Sequence, residues 1–187
     1  MRVGVIAIQG DFAKHLGAVE ACGAQAIEVR TPEQLETVDR AIIPGGESTT
    51  VGKLMERYGL GEALIRRAHE GMPLWGTCMG LILMASEIEG SDQYRLGLLD
   101  VCVRRNAFGA QVNSFEDSLR VEGLGEPLTA VFIRAPIVTR LGRHVDAIAT
   151  YHGQVVGVRQ GALLGTSFHP ELTEDLRLHR WFLDLRS

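Results

Sequence analysis

A chain of 187 residues that is 45% hydrophobic is long enough to close one domain over a sizeable core, and its formal charge of −4 with scattered arginines argues against a nucleic-acid surface. Its three widely spaced cysteines make neither a disulfide framework nor a zinc knuckle and fit a reducing cytoplasm. No run approaches the roughly 18 to 20 apolar residues of a membrane span, and the N-terminal apolar run is too short for a signal peptide, so a soluble chain with no membrane partner is expected.

Val3 to Ile8 reads as a central parallel strand covered on both faces. Gln9-Gly10-Asp11 turns the chain, Phe12, Leu16 and Val19 recur at helical spacing, Gly23 ends that helix, and Gln25 to Val29 supplies a second strand. A lone Gly10 after the first strand is not a dinucleotide fingerprint, so no such cofactor is expected. Asp39 to Ile43 makes a third strand and runs into Pro44-Gly45-Gly46-Glu47-Ser48-Thr49-Thr50, a glycine turn before a helix that Ser48 or Thr49 would cap. Val51, Leu54, Met55 and Tyr58 give that helix an apolar face. Lys53 does not turn this into a phosphate loop, because the glycine spacing is wrong and Leu54 stands where a magnesium-binding hydroxyl would be. The turn reads either as a plain strand-to-helix connection or as a set of backbone N–H groups suited to an oxyanion or a carboxylate.

Leu60, Leu64 and Ala68 mark another helix, and residues 71–84 then form the most informative stretch: an apolar strand, a sharp turn at Cys78 and an apolar helix. Gly76-x-Cys78-x-Gly80 has the logic of a nucleophile elbow, in which small residues on either side let strand and helix approach while the turn projects the nucleophile. A thiol there faces a helix N-terminus, which favours the reactive thiolate. Cys22 and Cys102 sit among apolar neighbours and read as packing residues. The alternation of strands and helices predicts a doubly wound, mostly parallel α/β sheet of the flavodoxin-like kind within a single domain over 1–187. Its ligand crevice would lie at the strands' carboxyl ends, where both Cys78 and the Gly45-Gly46 turn fall.

After about residue 86 the texture changes to short β-like segments at Leu98 to Val103, Ser118 to Val121, Ala130 to Ile133, Ala147 to Tyr151 and Val155 to Val158, which predict an antiparallel extension with a hairpin turn at Tyr151-His152-Gly153-Gln154. The chain closes on a helix with Leu178, Trp181, Phe182 and Leu185 as its apolar stripe and Thr173 as the expected cap. Just before it, His169 and Glu171 are two apart, so in an extended segment both point the same way. A thiol nucleophile needs a base held by a carboxylate. His15, His69 and His179 are read as helix residues with polar neighbours and His144 and His152 as turn residues, none at metal-ligand spacing, so no metal is assigned.

Gly76-Thr77-Cys78-Met79-Gly80 together with His169-Pro170-Glu171 resembles the class I (triad) glutamine amidotransferases. The Pro44 to Thr50 turn, Arg105-Asn106-Ala107-Phe108-Gly109, Phe132-Ile133-Arg134-Ala135-Pro136 and Ser167 to Asp175 resemble, more narrowly, the glutaminase subunits of pyridoxal 5'-phosphate synthase. The resemblance implies a Cys78, His169, Glu171 triad and glutamine contacts from Gly46, Glu47, Ser48, Arg105, Ile133 and Arg134. It also implies an oxyanion hole from the backbone of Gly46 and Met79, no cofactor, and a synthase subunit as partner that takes up the ammonia, with the Gln9-Gly10 turn near the interface. Met79 is larger than the alanine expected after the nucleophile, which bears on packing because its N–H is the group implied. A glutaminase for histidine or purine biosynthesis and a non-catalytic regulatory subunit are the alternatives.

Overall fold

The apolar runs of the first half become strands covered on both faces. In the computed structural model, which describes residues 1–109 and 113–186, these runs give β1 (Arg2–Ile6), α1 (Phe12–Ala21), β2 (Gln25–Val29), α2 (Pro32–Leu35), β3 (Arg40–Ile43), α3 (Ser48–Arg57), α4 (Leu60–His69), β4 (Leu74–Thr77) and α5 (Met79–Met84). The second half adds β5 (Ala85–Ile88), β6 (Leu99–Arg104), β7 (Ser114–Leu119), β8 (Leu128–Ile133), β9 (Ile137–Leu141), β10 (Asp146–Tyr151), β11 (Gln154–Gln160), β12 (Leu163–Thr166), a 3-10 turn at Pro170–Leu172 and α6 (Arg177–Asp184).

The main sheet runs β2-β1-β3-β4-β12-β11-β9-β6-β5, with β10 paired to β11. Its first five strands are parallel. The next three alternate in direction, and β5 ends the order parallel to β6. A separate antiparallel ribbon is made by β7 and β8. Each face of the sheet has its own core. On one, Met55, Leu64 and Leu83 from α3, α4 and α5 pack on Ile6, Ile43 and Leu74; on the other, Val19 of α1 and Phe182 of α6 pack with Trp75, Phe132 and Phe168. Full burial of side chains such as Phe168 and Phe182 contributes about 1.5–3 kcal/mol each. The doubly wound parallel core with an antiparallel extension is therefore present. No helix among the described residues is long and apolar enough to cross a membrane.

Several local expectations are corrected. The first strand stops at Ile6, ahead of a bend. The strand expected at Ser118–Val121 lies at Ser114–Leu119, because its pairing with β8 is fixed by Phe115 stacking on Phe132 at 4.8 Å rather than by an apolar run. Helix α3 is capped by Glu47 rather than Ser48 or Thr49: the carboxylate accepts the N–H groups of Thr49 (2.9 Å) and Thr50 (2.7 Å). Thr173 does not cap α6, which starts at Arg177, because its hydroxyl donates to Pro170 O and accepts from Asp175 N. The hairpin turn is as expected, with His152 (φ 46°) and Gly153 (φ 79°) both left-handed between Tyr151 and its pair Gln154.

Candidate active site

Four parallel strands, β1, β3, β4 and β12, end on the same side of the sheet, and the segments that leave them meet there. From β4, the chain enters α5 through Cys78, whose backbone is forced to φ 51° and ψ −102°. This is a strained conformation for a residue with a side chain. It is fixed by the Cys78 N–H donating to Thr166 O of β12 at 2.7 Å and by the two flanking glycines. A Cβ on Gly76 would overlap the backbone of Gly80, and one on Gly80 would overlap the carbonyl of Ile43. The expected elbow is thus present, with the Cys78 sulfur 3.8 Å from Ile133 O.

From β12, the chain delivers His169 and Glu171. They do not share a face of an extended segment, as the spacing alone predicts; Pro170–Leu172 is a 3-10 turn with His169 at its start. The turn folds the carboxylate back on the ring, and Glu171 Oε1 lies 2.7 Å from His169 Nδ1. Both residues are buried. Burial opposes charge on the His169 ring, but interactions with Cys78 and Glu171 outweigh it and push its pKa up to about 10. Burial likewise opposes charge on Glu171, yet the His169 hydrogen bond and the nearby histidines hold its carboxyl below the usual range. The proton on Nδ1 is therefore committed to Glu171, and the buried Nε2, which has no hydrogen-bond partner among the described residues, is the ring atom open to the sulfur's side.

Cys78 and His169 border a cavity of about 490 Å³ that is also lined by Gly46, Glu47, Ser48, Met79, Arg105, Ile133 and Arg134, so every residue expected to touch substrate faces one space. Glu47 is ionised throughout the neutral range, held down to about 2 by hydrogen bonds from Thr50 and Thr49. Asn106 (φ 49°) and Arg134 (φ 42°) adopt left-handed backbone at the cavity wall, a cost that the surrounding structure must enforce. Arg105 is braced by Gln93, a loop residue that sequence reasoning did not single out: Gln93 Oε1 accepts from Arg105 Nη1 (2.9 Å), Ser48 Oγ (3.2 Å) and Thr49 Oγ1 (3.3 Å). The Gln9-Gly10 turn lies at the same cavity, against the Gly45-Gly46 peptide. A Cβ on Gly10 would overlap Gly45 O, and Glu47 N donates to Gln9 Oε1 at 3.4 Å.

Two of the histidines read as helix residues with polar neighbours are on helices, as expected, but in the core. His15 of α1 is fully buried and His179 of α6 is nearly so, with Trp75 at ring-centroid distances of 5.8 and 5.0 Å. His15 Nε2 lies 3.3 Å from Glu171 Oε2 and 3.2 Å from Thr77 Oγ1, and His15 Nδ1 lies 3.1 Å from His179 Nε2. Among the described residues, no group of three or more His, Cys, Asp or Glu side chains is arranged to hold a metal ion.

Similarity to known proteins extends over nearly the whole chain. A pyridoxal 5'-phosphate synthase subunit PdxT of Niallia circulans is 51% identical over 185 residues, covering 99% of this chain and 97% of that protein. The PdxT of Desulforudis audaxviator is 54% identical, covering 98% of each. A crystal structure of a glutamine amidotransferase superposes with a TM-score of 0.94 at 53% identity, covering 97% of both chains. The PurLQS structure of Thermotoga maritima, at 18% identity and a TM-score of 0.74, shares the fold. With the SNO glutamine amidotransferase model matching residues 5–186, from the first strand to the last helix, this chain belongs to the SNO glutamine amidotransferase family.

Proposed function

We propose that this chain, acting as a single domain in the cytoplasm, hydrolyses L-glutamine to L-glutamate and ammonia and hands the ammonia to a synthase subunit that builds pyridoxal 5'-phosphate. The observation that carries the reading is the His169–Glu171 pair, 2.7 Å apart, beside a cysteine on a strained elbow at the wall of a cavity that holds two arginines. Relatives about half identical to this chain bear the name of that synthase's subunit.

In this mechanism Arg105 and Arg134 hold the substrate's α-carboxylate end, for which a guanidinium fork is suited. A charged imidazole beside the sulfur favours the thiolate. The Cys78 sulfur attacks the side-chain amide carbon, and the carbonyl π electrons move onto oxygen, where backbone N–H groups of Met79 and Gly46 receive the charge. His169 gives its Nε2 proton to the departing nitrogen, the C–N bond breaks and a thioester remains. The now neutral ring takes a proton from water as it adds to the thioester, and collapse releases glutamate and returns the thiolate–imidazolium pair. Glu171 holds the ring's tautomer and stabilises its charged form without taking the proton.

Ammonia made without an acceptor is wasted, and the Gly45-Gly46 peptide offers a means of control. Glycine tolerates both signs of φ, so this peptide can turn either its C=O or its N–H toward the oxyanion. A partner seated on the Gln9-Gly10 turn, which touches that peptide, would select the N–H orientation by differential affinity. The test is glutamate release at saturating glutamine with and without a pyridoxal phosphate synthase subunit, and with histidine- or purine-pathway synthases as controls. Turnover stimulated by the first partner alone is expected; equal turnover with and without it would refute the gating, and no glutamate in any arm would refute the glutaminase reading.

A further inference from the structure

The triad accounts for one oxygen of Glu171. The other, Oε2, is buried and accepts no well-aligned hydrogen bond among the described residues, while His15 Nε2 stands 3.3 Å from it. An ionised buried carboxylate oxygen facing a ring nitrogen requires a proton on that nitrogen, because a lone pair there would repel it. With the proton on Nε2, His15 Nδ1 is an acceptor, and the 3.1 Å contact to His179 Nε2 must be donated by His179. The remaining atom, His179 Nδ1, is buried and unpartnered among the described residues. In this arrangement it is a bare acceptor. In the reverse one it would be an orphaned N–H, the rarer and costlier case. Two separate arguments thus give the same tautomers.

We propose that His15 and His179 form a second donor chain behind the triad, running His179 Nε2–H to His15 Nδ1 and His15 Nε2–H to Glu171 Oε2, and that His15 is a positioning residue for the glutaminase reaction. The carboxylate then has a grip on each side, a short hydrogen bond from His169 at Oε1 (2.7 Å) and a longer, less aligned approach of the His15 Nε2–H at Oε2 (3.3 Å), with Thr77 Oγ1 sharing the His15 proton at 3.2 Å. The grip fixes the rotamer of Glu171 and divides its negative charge between two donors, which limits how strongly it holds the His169 proton. The charged groups that bear on His15 are Glu171 and His169 from the segment after β12, Asp11 from the start of α1, and His179 from α6. Burial outweighs the attraction of Glu171 and keeps His15 below its ordinary pKa, so the chain is built from neutral rings. Nothing in this role requires contact with glutamine.

The inference rests on the glutaminase reading, and its tests separate the two. In the complex with the synthase subunit, His15→Leu is expected to lower kcat by about 10- to 100-fold, the worth of one hydrogen bond to a charged group, with KM for glutamine within about twofold. The alkaline limb of the kcat/KM profile should move to higher pH, because a carboxylate with one donor fewer binds the His169 proton harder. His15→Gln, whose amide N–H can reach the place of Nε2, should recover most of the loss. Nitrogen-15 chemical shifts of His15 in the unmodified protein provide a readout that needs neither activity nor a folded variant, and a protonated Nε2 is expected. A protonated Nδ1, an unchanged kcat and pH profile in His15→Leu, or equal loss in the Leu and Gln variants would each overturn the proposal. Absence of glutamate release by the parent complex would instead sink the glutaminase reading and leave the tautomer assignment standing.

Discussion

Lowering the pH from 7 to 5 carries His179 through its ordinary protonation range, and the fold does not accept the proton. Burial first, and the neighbouring His15 second, push its pKa down to about 3, against some support from Glu171. A depressed pKa gives a stability term that is present above the unfolded value, near 6.5, and is lost as pH falls from there toward 3. Because pH 5 lies about 1.5 units below the unfolded value and well above the folded one, the loss is about 2 kcal/mol at 1.36 kcal/mol per unit. His169 works in the other sense: its raised pKa gives a term that is full below 6.5 and lost as pH rises toward 10, so it strengthens slightly over the same interval. Comparing the parent with His179→Phe cancels terms common to both. Urea unfolding at pH 7 and pH 5 should show the parent losing about 2 kcal/mol more than the variant. Parallel losses would refute a buried neutral His179.

Cys78→Ala should abolish glutamate release while leaving the circular dichroism spectrum unchanged, since the elbow's shape is set by Gly76 and Gly80; His169→Asn should do nearly as much damage, and Glu171→Gln less, because it orients rather than transfers a proton. Gln93→Leu should free Arg105 and weaken glutamine binding by about tenfold in calorimetry, as Arg105→Ala and Arg134→Ala should do directly. Alkylation of Cys78 by a small electrophile should stay the same in all three, because the thiol's own contacts are untouched.

The parts of the site that sequence reveals are those governed by local geometry. Glycines two before and two after Cys78 specify a close turn whatever packs on it, and those glycines do meet the backbone of Gly80 and Ile43. The His169–Glu171 pairing was legible from chemistry but not in its shape, since a proline between them makes a 3-10 turn where the two-residue spacing points to an extended one. His15 and His179 left a signal that polarity concealed. Phe12, His15, Leu16 and Val19 stand at i, i+3, i+4 and i+7, as do His179, Phe182 and Leu183 at i, i+3 and i+4, so both histidines lie on core faces. Helix α2, for which no element is predicted from the sequence, also left a signal, because Thr31 and Gln34 form a capping box. Gln93 left no such trace: it sits outside any helix or strand and acts through partners 44, 45 and 12 residues away. The ribbon strand β7 was misplaced for a related reason, as three consecutive residues, Glu116, Asp117 and Ser118, are exposed and polar.

The position of β12 has a bearing on synthesis. It is the last of the described strands in chain order, yet it lies mid-sheet, between β4 and β11, pairing Leu163 to Thr166 with Leu74 to Thr77. Until it arrives, the nascent chain carries β4 as a bare, apolar edge, the kind of surface that pairs with neighbouring chains. Cys78 spends that interval without its carbonyl partner at Thr166 and without His169. The Cys78–His169 arrangement is therefore completed last, in the same step that shuts the sheet, and a polypeptide halted before residue 163 keeps the aggregation-prone edge and lacks the histidine side of the proposed site.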